Sequence, residues 1–473
     1  MKRLHISAIL LSLMALASVV GNAQEVSPVD FMRMNPFQVN SNAATSLPYN
    51  SFFHLGIGNV NADIQNTNIR FEDLFGNGAD GSSTAVNLKK FADGLEKDNM
   101  LNFGFTENIF GFGCDFMRGK ITYWHRLRAQ GSMQFDDGLF KFMAYGNSAY
   151  MGDDGPASLN VGLDMTAFQE IAIDYQMDLN NKLSVGIRAK ILFGMARVET
   201  DAFSMKMYTS PVDNSIYLHE DIRFRTYLPR IYSFTDGRFD LGERVQFQDL
   251  FRNAGFGVDF AAQYKIDDKW SVVAAVNDLG HINWSRFGKE VYGNLDEDGQ
   301  LYQDGTFFHD GLDFNEIKMI FNDENYGKGF IDTLGQYFNL QSVESPASKT
   351  KLHTDILLRG NYDLDKYSRV SAQLQGYCSG IGLRPALTLA YSGSFFKKID
   401  VAVTYTMKKK SFDNLGVGLG LNLGCFHFYA TTNNLFGLLK PLSSRVVNVQ
   451  AGFVLNFWAH TKARFVEFDN IEY

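Results

Sequence analysis

Cysteine is scarce in this 473-residue chain, which carries three, Cys114, Cys378 and Cys425. A set so sparse and odd in number argues against a disulfide framework, and the three read as packed or lipid-facing small side chains. Long apolar runs are also missing. Beyond Val20 nothing reaches the roughly 18–20 continuous apolar residues of a spanning helix, so an exported chain is either soluble or a β-barrel. Basic clusters are lacking as well: a net charge of -8, a pI near 5.6 and no phosphate-tracking Lys/Arg face exclude nucleic acid as a partner. No local motif pairs a nucleophile with a base, so the chain reads as a non-enzyme without cofactor or metal. Asn294 to Gly299 imitates the start of a calcium loop through Asp296 and Asp298. Its twelfth position would be Gly305 instead of a bidentate Glu, so it reads as an acidic loop.

What is plentiful points to a barrel. The chain has 43 Gly and 42 Phe, yet its mean hydropathy is only -0.16, as expected where residues are apolar on alternate positions. Met1-Lys2-Arg3, the apolar run Ile6 to Val20 and Gly21-Asn22-Ala23 form the three parts of a secretory signal over 1–23, with the mature chain beginning at Gln24. No Cys lies near the cleavage point, which argues against a lipoprotein anchor. Residues 24–50 are rich in Asn, Ser and Pro and cannot bury themselves alone.

The longest period-two alternation runs from Val161 to Thr200. Val161, Leu163, Met165, Ile171 and Ile173 share one face, and Asp164, Thr166, Glu170, Asp174 and Gln176 the other. After the turn Leu179-Asn180-Asn181-Lys182, the return strand sets Leu183, Val185, Ile187, Ala189 and Ile191 against Ser184, Gly186, Arg188 and Lys190. Strands of soluble sheets average about 5–6 residues, whereas a tilted strand crossing a bilayer needs roughly 9–11. The same alternation starts further strands at Lys120, Phe203, Ile216, Ala254, Trp270, Leu352, Tyr367, Pro385, Ile399, Leu415, Phe426 and Asn448. The predicted fold is therefore all-β, a transmembrane antiparallel barrel of about 14 strands, within 12–16, over residues 51–458. The higher count applies if the stretch before Lys120 supplies two.

Link lengths orient the barrel. Leu179–Lys182, Pro211–Ser215, Asp267–Lys269, Leu364–Lys366, Phe396–Lys398 and Gly424-Cys425 are short, while the longest links fall in the alternate set, notably 279–351. Outer-membrane barrels have short periplasmic turns and long external loops, so both barrel ends are expected in the periplasm. Trp270, Tyr367, Phe395, Phe396, Phe426 and Trp458 fall at the short-turn end, as an aromatic girdle requires. Residues 459–473 are left as a tail or closing strand. Pro385 removes a ladder donor and marks a possible bulge or lateral opening.

Three stretches carry a family resemblance: Met34-Asn35-Pro36, the hairpin Glu170 to Tyr175 with Ile187 to Lys190, and Asn277 to Trp284. On these the chain resembles uncharacterised outer-membrane proteins of Bacteroides-type bacteria, similar in general plan to the FadL long-chain fatty-acid transporters and to PorV-like secretion components. The resemblance implies a plug at 24–50 entering the lumen through Asn35, Pro36 and Phe37, where FadL-type members often carry Asn-Pro-Ala. It also implies outer-membrane localisation and passage of a hydrophobic small molecule. Its alternative is a non-transporting barrel that docks an exported protein through loop 279–351.

The polar face supplies the candidate lumen residues: Arg126, Arg128, Asp174, Arg188, Lys190, Asp259, Lys265, His353, Asp355 and Arg359. Their charges are expected to form a cross-lumen ion-pair network. Gly416, Gly418 and Gly420 leave an inner face almost free of side chains, with room for a plug or ligand.

Overall fold

The computed structural model describes residues 26–44, 51–66, 69–76, 85–117, 119–146, 157–212, 216–228, 251–293, 340–379, 382–396, 398–408 and 411–458, with short fragments between them. The predicted signal, the 459–473 tail and the Asn294–Gly299 loop lie outside the described residues.

Fourteen antiparallel strands close on themselves. In chain order they are β1 Ser51–Asn66, β2 Asn99–Phe116, β3 Gly119–Phe135, β4 Ala157–Asp178, β5 Leu183–Thr209, β6 Asn253–Lys265 and β7 Trp270–Trp284. The wall continues with β8 Thr354–Asp363, β9 Ser368–Ser379, β10 Gly382–Phe395, β11 Ile399–Lys408, β12 Ser411–Leu423, β13 Phe426–Thr432 and β14 Val446–Trp458. Each strand pairs with its neighbours in this order, and β14 returns to β1 with Ser51 opposite Trp458. Closure removes the free edges whose unpaired backbone groups a lipid environment cannot satisfy.

The strand count matches the sequence reading through two compensating differences. Two strands, β1 and β2, come from the stretch before Lys120. In exchange, Phe203–Ser210 is the far end of β5, a strand of 27 residues. Ile216–Tyr227 pairs back onto that end and onto Gly288–Tyr292, forming a sheet beyond the barrel rim. The Pro211–Ser215 link therefore stands at the long-loop end, not among the short turns. A strand outrunning the membrane keeps its alternation, so period two alone does not show where the wall stops.

Burial follows the alternation with its usual sense inverted. Ile173, Ile191 and Leu358 are 50–55% exposed, while Asp174, Arg188, Asp259 and Arg359 are buried. Such a surface suits lipid outside and polar groups inside. Three short turns use one device: Asn180, Asp267 and Asp365 each accept two backbone N–H bonds at 2.6–2.9 Å from the residues two and three positions on. Those bonds hold the Asp267 carboxyl below its ordinary range. Trp270, Tyr367, Phe395, Phe396 and Phe426 are all exposed at this end, as the girdle requires. At the other end α1 Leu88–Asp93 and α2 Gly138–Tyr145 pack over one apolar cluster that includes Ile69, Phe91 and Phe135. Pro385 makes no bulge: β9 and β10 pair without a register shift, and Pro385 lies one residue beyond the last β10–β11 pair.

Candidate functional site: the lumen and its inner segment

Residues 26–44 lie inside the barrel, buried almost throughout. Their composition explains a fold with little core of its own, because short polar side chains cap successive tight turns. Ser27 and Asp30 form a reciprocal capping box on the 3₁₀ turn Pro28–Phe31. Asn35 accepts from the Phe37 N–H at 3.0 Å, ahead of a second 3₁₀ turn, Pro36–Asn40.

The wall holds this segment at many points. Asp400 accepts the N–H groups of Arg33 and Met34 at 3.3 and 2.8 Å. Arg359 donates to the Asp30 carbonyl at 2.9 Å and stands over the Phe31 ring at 4.4 Å. Burial raises the Asp30 carboxyl above its ordinary range, against the pull of the Arg359 charge. Asn277 donates to the Ser41 carbonyl at 3.1 Å. Phe37 is fully buried between Trp124 and Tyr429, with ring centroids 5.2 and 5.7 Å away. Gly56 makes room for it, since a Cβ there would come within 2.8 Å of the ring. Phe37 thus fills a fitted socket.

The row Gly416, Gly418 and Gly420 is where the segment rests. A Cβ at Gly418 would lie 3.1 Å from Pro28 and 3.2 Å from Met32, and one at Gly420 would lie 2.8 Å from Met32. The room left by these glycines is taken by the chain itself.

Beside Asn40 stands a group of eight buried charges on five adjacent strands, β3 to β7. Arg126 and Arg128 pair with Glu170 at 3.3 and 2.8 Å, and Arg128 reaches Asp278 at 2.9 Å. Arg188 bridges Asp174 at 2.5 Å and Asp259 at 2.9 Å, while Lys190 bridges Asp259 at 2.6 Å and Asp278 at 2.5 Å. Four cations meet four carboxylates, so formal charge cancels. The network follows one side of the wall and does not cross the lumen, which the inner segment fills. It touches that segment through Asn40, which accepts from Arg126 at 2.7 Å and from Arg188 at 3.1 Å.

The remaining candidates are scattered. Lys265 is exposed at the short-turn rim, because β6 leaves the barrel there, and it does not line the lumen. His353 precedes β8 and lies within hydrogen-bond distance of Gln130, 3.2 Å away; Asp355 accepts from Gln375 at 2.7 Å, and Arg359 donates to Gln373 at 2.6 Å. These three share a strand region but converge on no common centre. Glu170 and Asp278, absent from the sequence candidates, each hold two cations. Glu170 was legible as the even-face neighbour of Asp174. Asp278 was not, because Asn277 and Asp278 together oppose Asp259 in a bulge. The bulge gives Asp278 a φ of 61° and turns it inward.

Residues 43–433 match a family of unknown function, DUF5723. The chain belongs to that family. No curated protein matches it. The fold of this DUF5723 member is similar to that of the toluene transporter TodX of Pseudomonas putida, at 8% identity and a TM-score of 0.44 over 93% of this chain and 100% of that one. The toluene transporter TbuX of Ralstonia pickettii gives 10% identity and 0.44 over 90% and 94%. A FadL homologue of Pseudomonas aeruginosa gives 10% and 0.39 over 86% and 90%. At these identities the likeness concerns the path of the chain and not its cargo.

Two features of the DUF5723 barrel stand just above the ion pairs. Phe168, Leu192, Ile282 and Trp284 form a buried apolar cluster with Tyr227 and Leu352. Beside it the β7 ladder is interrupted: pairing with β8 ends at Asn277↔Asp355 and resumes with Ser348–Lys351 at His281↔Lys351. Within the gap one backbone bond remains, from Leu352 N–H to the Gly280 carbonyl at 2.9 Å.

Proposed function

We propose that this barrel takes up an apolar small molecule across an outer membrane. The molecule enters from the long-loop end and reaches the cluster around Phe168 and Trp284. Below it, eight paired charges and the docked segment 26–44 block a straight route, since a hydrocarbon would have to displace buried ion pairs. Exit is sideways, through the interrupted ladder between β7 and the Ser348–Asp363 region, with the inner segment acting as a plug. The observation that carries this reading is the apolar cluster standing directly over a charged, occluded floor and beside the wall's interrupted pairing. No steady conductance is expected from such a lumen.

The test is uptake of a radiolabelled long-chain fatty acid and of a small aromatic hydrocarbon by a host without such a barrel. Cells expressing the chain should accumulate one of them above the empty host, and Trp284→Asp should abolish the gain while the barrel still shows heat-dependent gel mobility. Equal accumulation with and without the folded barrel would sink the proposal.

A further inference from the structure

One stretch of the wall is closed without a strand. β13 has 7 residues, fewer than the roughly 9–11 of a tilted strand crossing a bilayer, while β12 and β14 on either side have 13 each. Its pairing ends at Val417↔Thr432 with β12 and at Thr431↔Gln450 with β14. The neighbours continue, β12 along β11 to Ser411 and β14 along β1 to Val446. Above Thr432 their facing edges form a notch, with no strand between them among the described residues.

A short helix, α3 Leu435–Leu439, fills the notch and touches both β12 and β14. Side chains replace the ladder where the chain turns into it. Thr432 Oγ1 donates to the Asn448 carbonyl at 2.7 Å, the Asn433 N–H to the Asn448 side-chain oxygen at 3.1 Å, and the Asn434 amide to the Val446 carbonyl at 3.1 Å. Asn434 also caps α3, accepting from the Gly437 N–H at 3.0 Å. Gly437 lets the helix lie close against β14, since a Cβ there would collide with the Val446 carbonyl oxygen. Within α3 the Leu438 N–H donates to the Asn434 carbonyl at 3.0 Å and the Lys440 N–H to the Phe436 carbonyl at 2.9 Å. A helical turn bonded in this way needs no ladder partner, which is the condition for backbone that faces lipid.

Its outward surface is apolar. Phe436, Leu438, Leu439 and Leu442 are 45–71% exposed, and no charged residue occurs from Phe428 to Leu439. Strand register sets the height. The row just below the notch is Leu419, Ala430 and Ala451, all exposed on the lipid-facing side. Val449, also exposed, borders the notch one residue beyond the last β13–β14 pair. Lys440, the first charge in this stretch, stands exposed at the end of the helix. The apolar belt thus runs from β12 through α3 to β14 without a break.

We propose that α3 is part of the lipid-facing wall, with Phe436, Leu438 and Leu439 seated among acyl chains of the membrane half at the long-loop end. The helix seals the notch between β12 and β14. Its occupant is bilayer hydrocarbon, because the lipid-facing belt flanks it on both sides. This seating goes beyond the uptake reading and holds for any cargo or none.

The test places a nitroxide on Leu439→Cys in a full chain whose three native cysteines are replaced, reconstituted in phosphatidylcholine bilayers. Collision with oxygen, which concentrates in hydrocarbon, is compared with collision with a water-soluble nickel chelate. The oxygen-to-nickel ratio at Leu439→Cys should exceed that at Val212→Cys, which is 93% exposed at the long-loop end, at least tenfold. It should approach the ratio at lipid-facing Leu419→Cys. All three positions are exposed, so the changes leave folding intact, which gel mobility verifies. A ratio like that of Val212→Cys would overturn the proposal and place the helix in water. Low collision with both reagents, together with dipolar broadening between labels, would also overturn it by showing a second copy of the chain over the helix.

Discussion

Phe37→Ala should release the inner segment without unfolding the barrel. The ring is fully buried between Trp124 and Tyr429, and the socket shaped by Gly56 cannot close around a methyl group. Truncating a buried Phe typically costs about 3–5 kcal/mol. The wall keeps its ladder, so most of that loss falls on docking, where about 1.4 kcal/mol is a factor of ten in population. Undocking should therefore become roughly 100-fold or more frequent. The assay is maleimide labelling of Val29→Cys in a chain whose three native cysteines are replaced, with reagent supplied from the short-turn side. Val29 is buried when the segment is docked. Phe37→Ala should raise the labelling rate by about that factor, with Phe37→Leu in between. Identical rates in all three chains would refute the claim that Phe37 anchors the segment.

Asp400→Ala removes the acceptor of two buried backbone N–H groups, on Arg33 and Met34. Each orphaned donor costs about 1–3 kcal/mol, so the same labelling assay should show faster reaction with gel mobility unchanged. Arg188→Met leaves Asp174 short of its cation and Asp259 with Lys190 alone. Breaking a buried pair on one side typically costs about 3–5 kcal/mol, seen as a lower temperature for loss of the compact gel form. A membrane-impermeant maleimide should label Val212→Cys in intact cells, because Val212 is 93% exposed at the long-loop end; protection until the outer membrane is opened would contradict the assigned orientation.

Much of the wall was legible because alternation is a local property. The hairpin of β4 and β5 showed its two faces directly, and Asn180, Asp267 and Asp365 marked turns by side chains that cap backbone N–H groups. Strand extent was less legible, since β5 keeps its alternation after leaving the barrel. The lumen was half legible: parity placed Arg188, Lys190 and Asp259 inside, but partners depend on which strands adjoin. The bulge at Asn277–Asp278 shifts parity by one, which hid Asp278. Lys265 failed for the opposite reason, because parity continues past the rim where there is no longer an inside. Phe37 stands where FadL-type members often carry Ala, and the socket that accepts the larger ring depends on Gly56, 19 positions on in another element, which no local pattern links to it.

The most direct test of sideways exit is a reversible staple across the wall. His281 and Lys351 are cross-strand partners on the upper lip of the interrupted ladder. Replaced together by cysteine in a chain without its native three, they lie at the spacing a disulfide spans, and the bond leaves the lumen unobstructed. If apolar solutes leave between β7 and the Ser348–Asp363 region, oxidation should stop fatty-acid or hydrocarbon uptake and reduction should restore it. Uptake that continues at the same rate through the stapled barrel would contradict the account and leave displacement of the inner segment as the route.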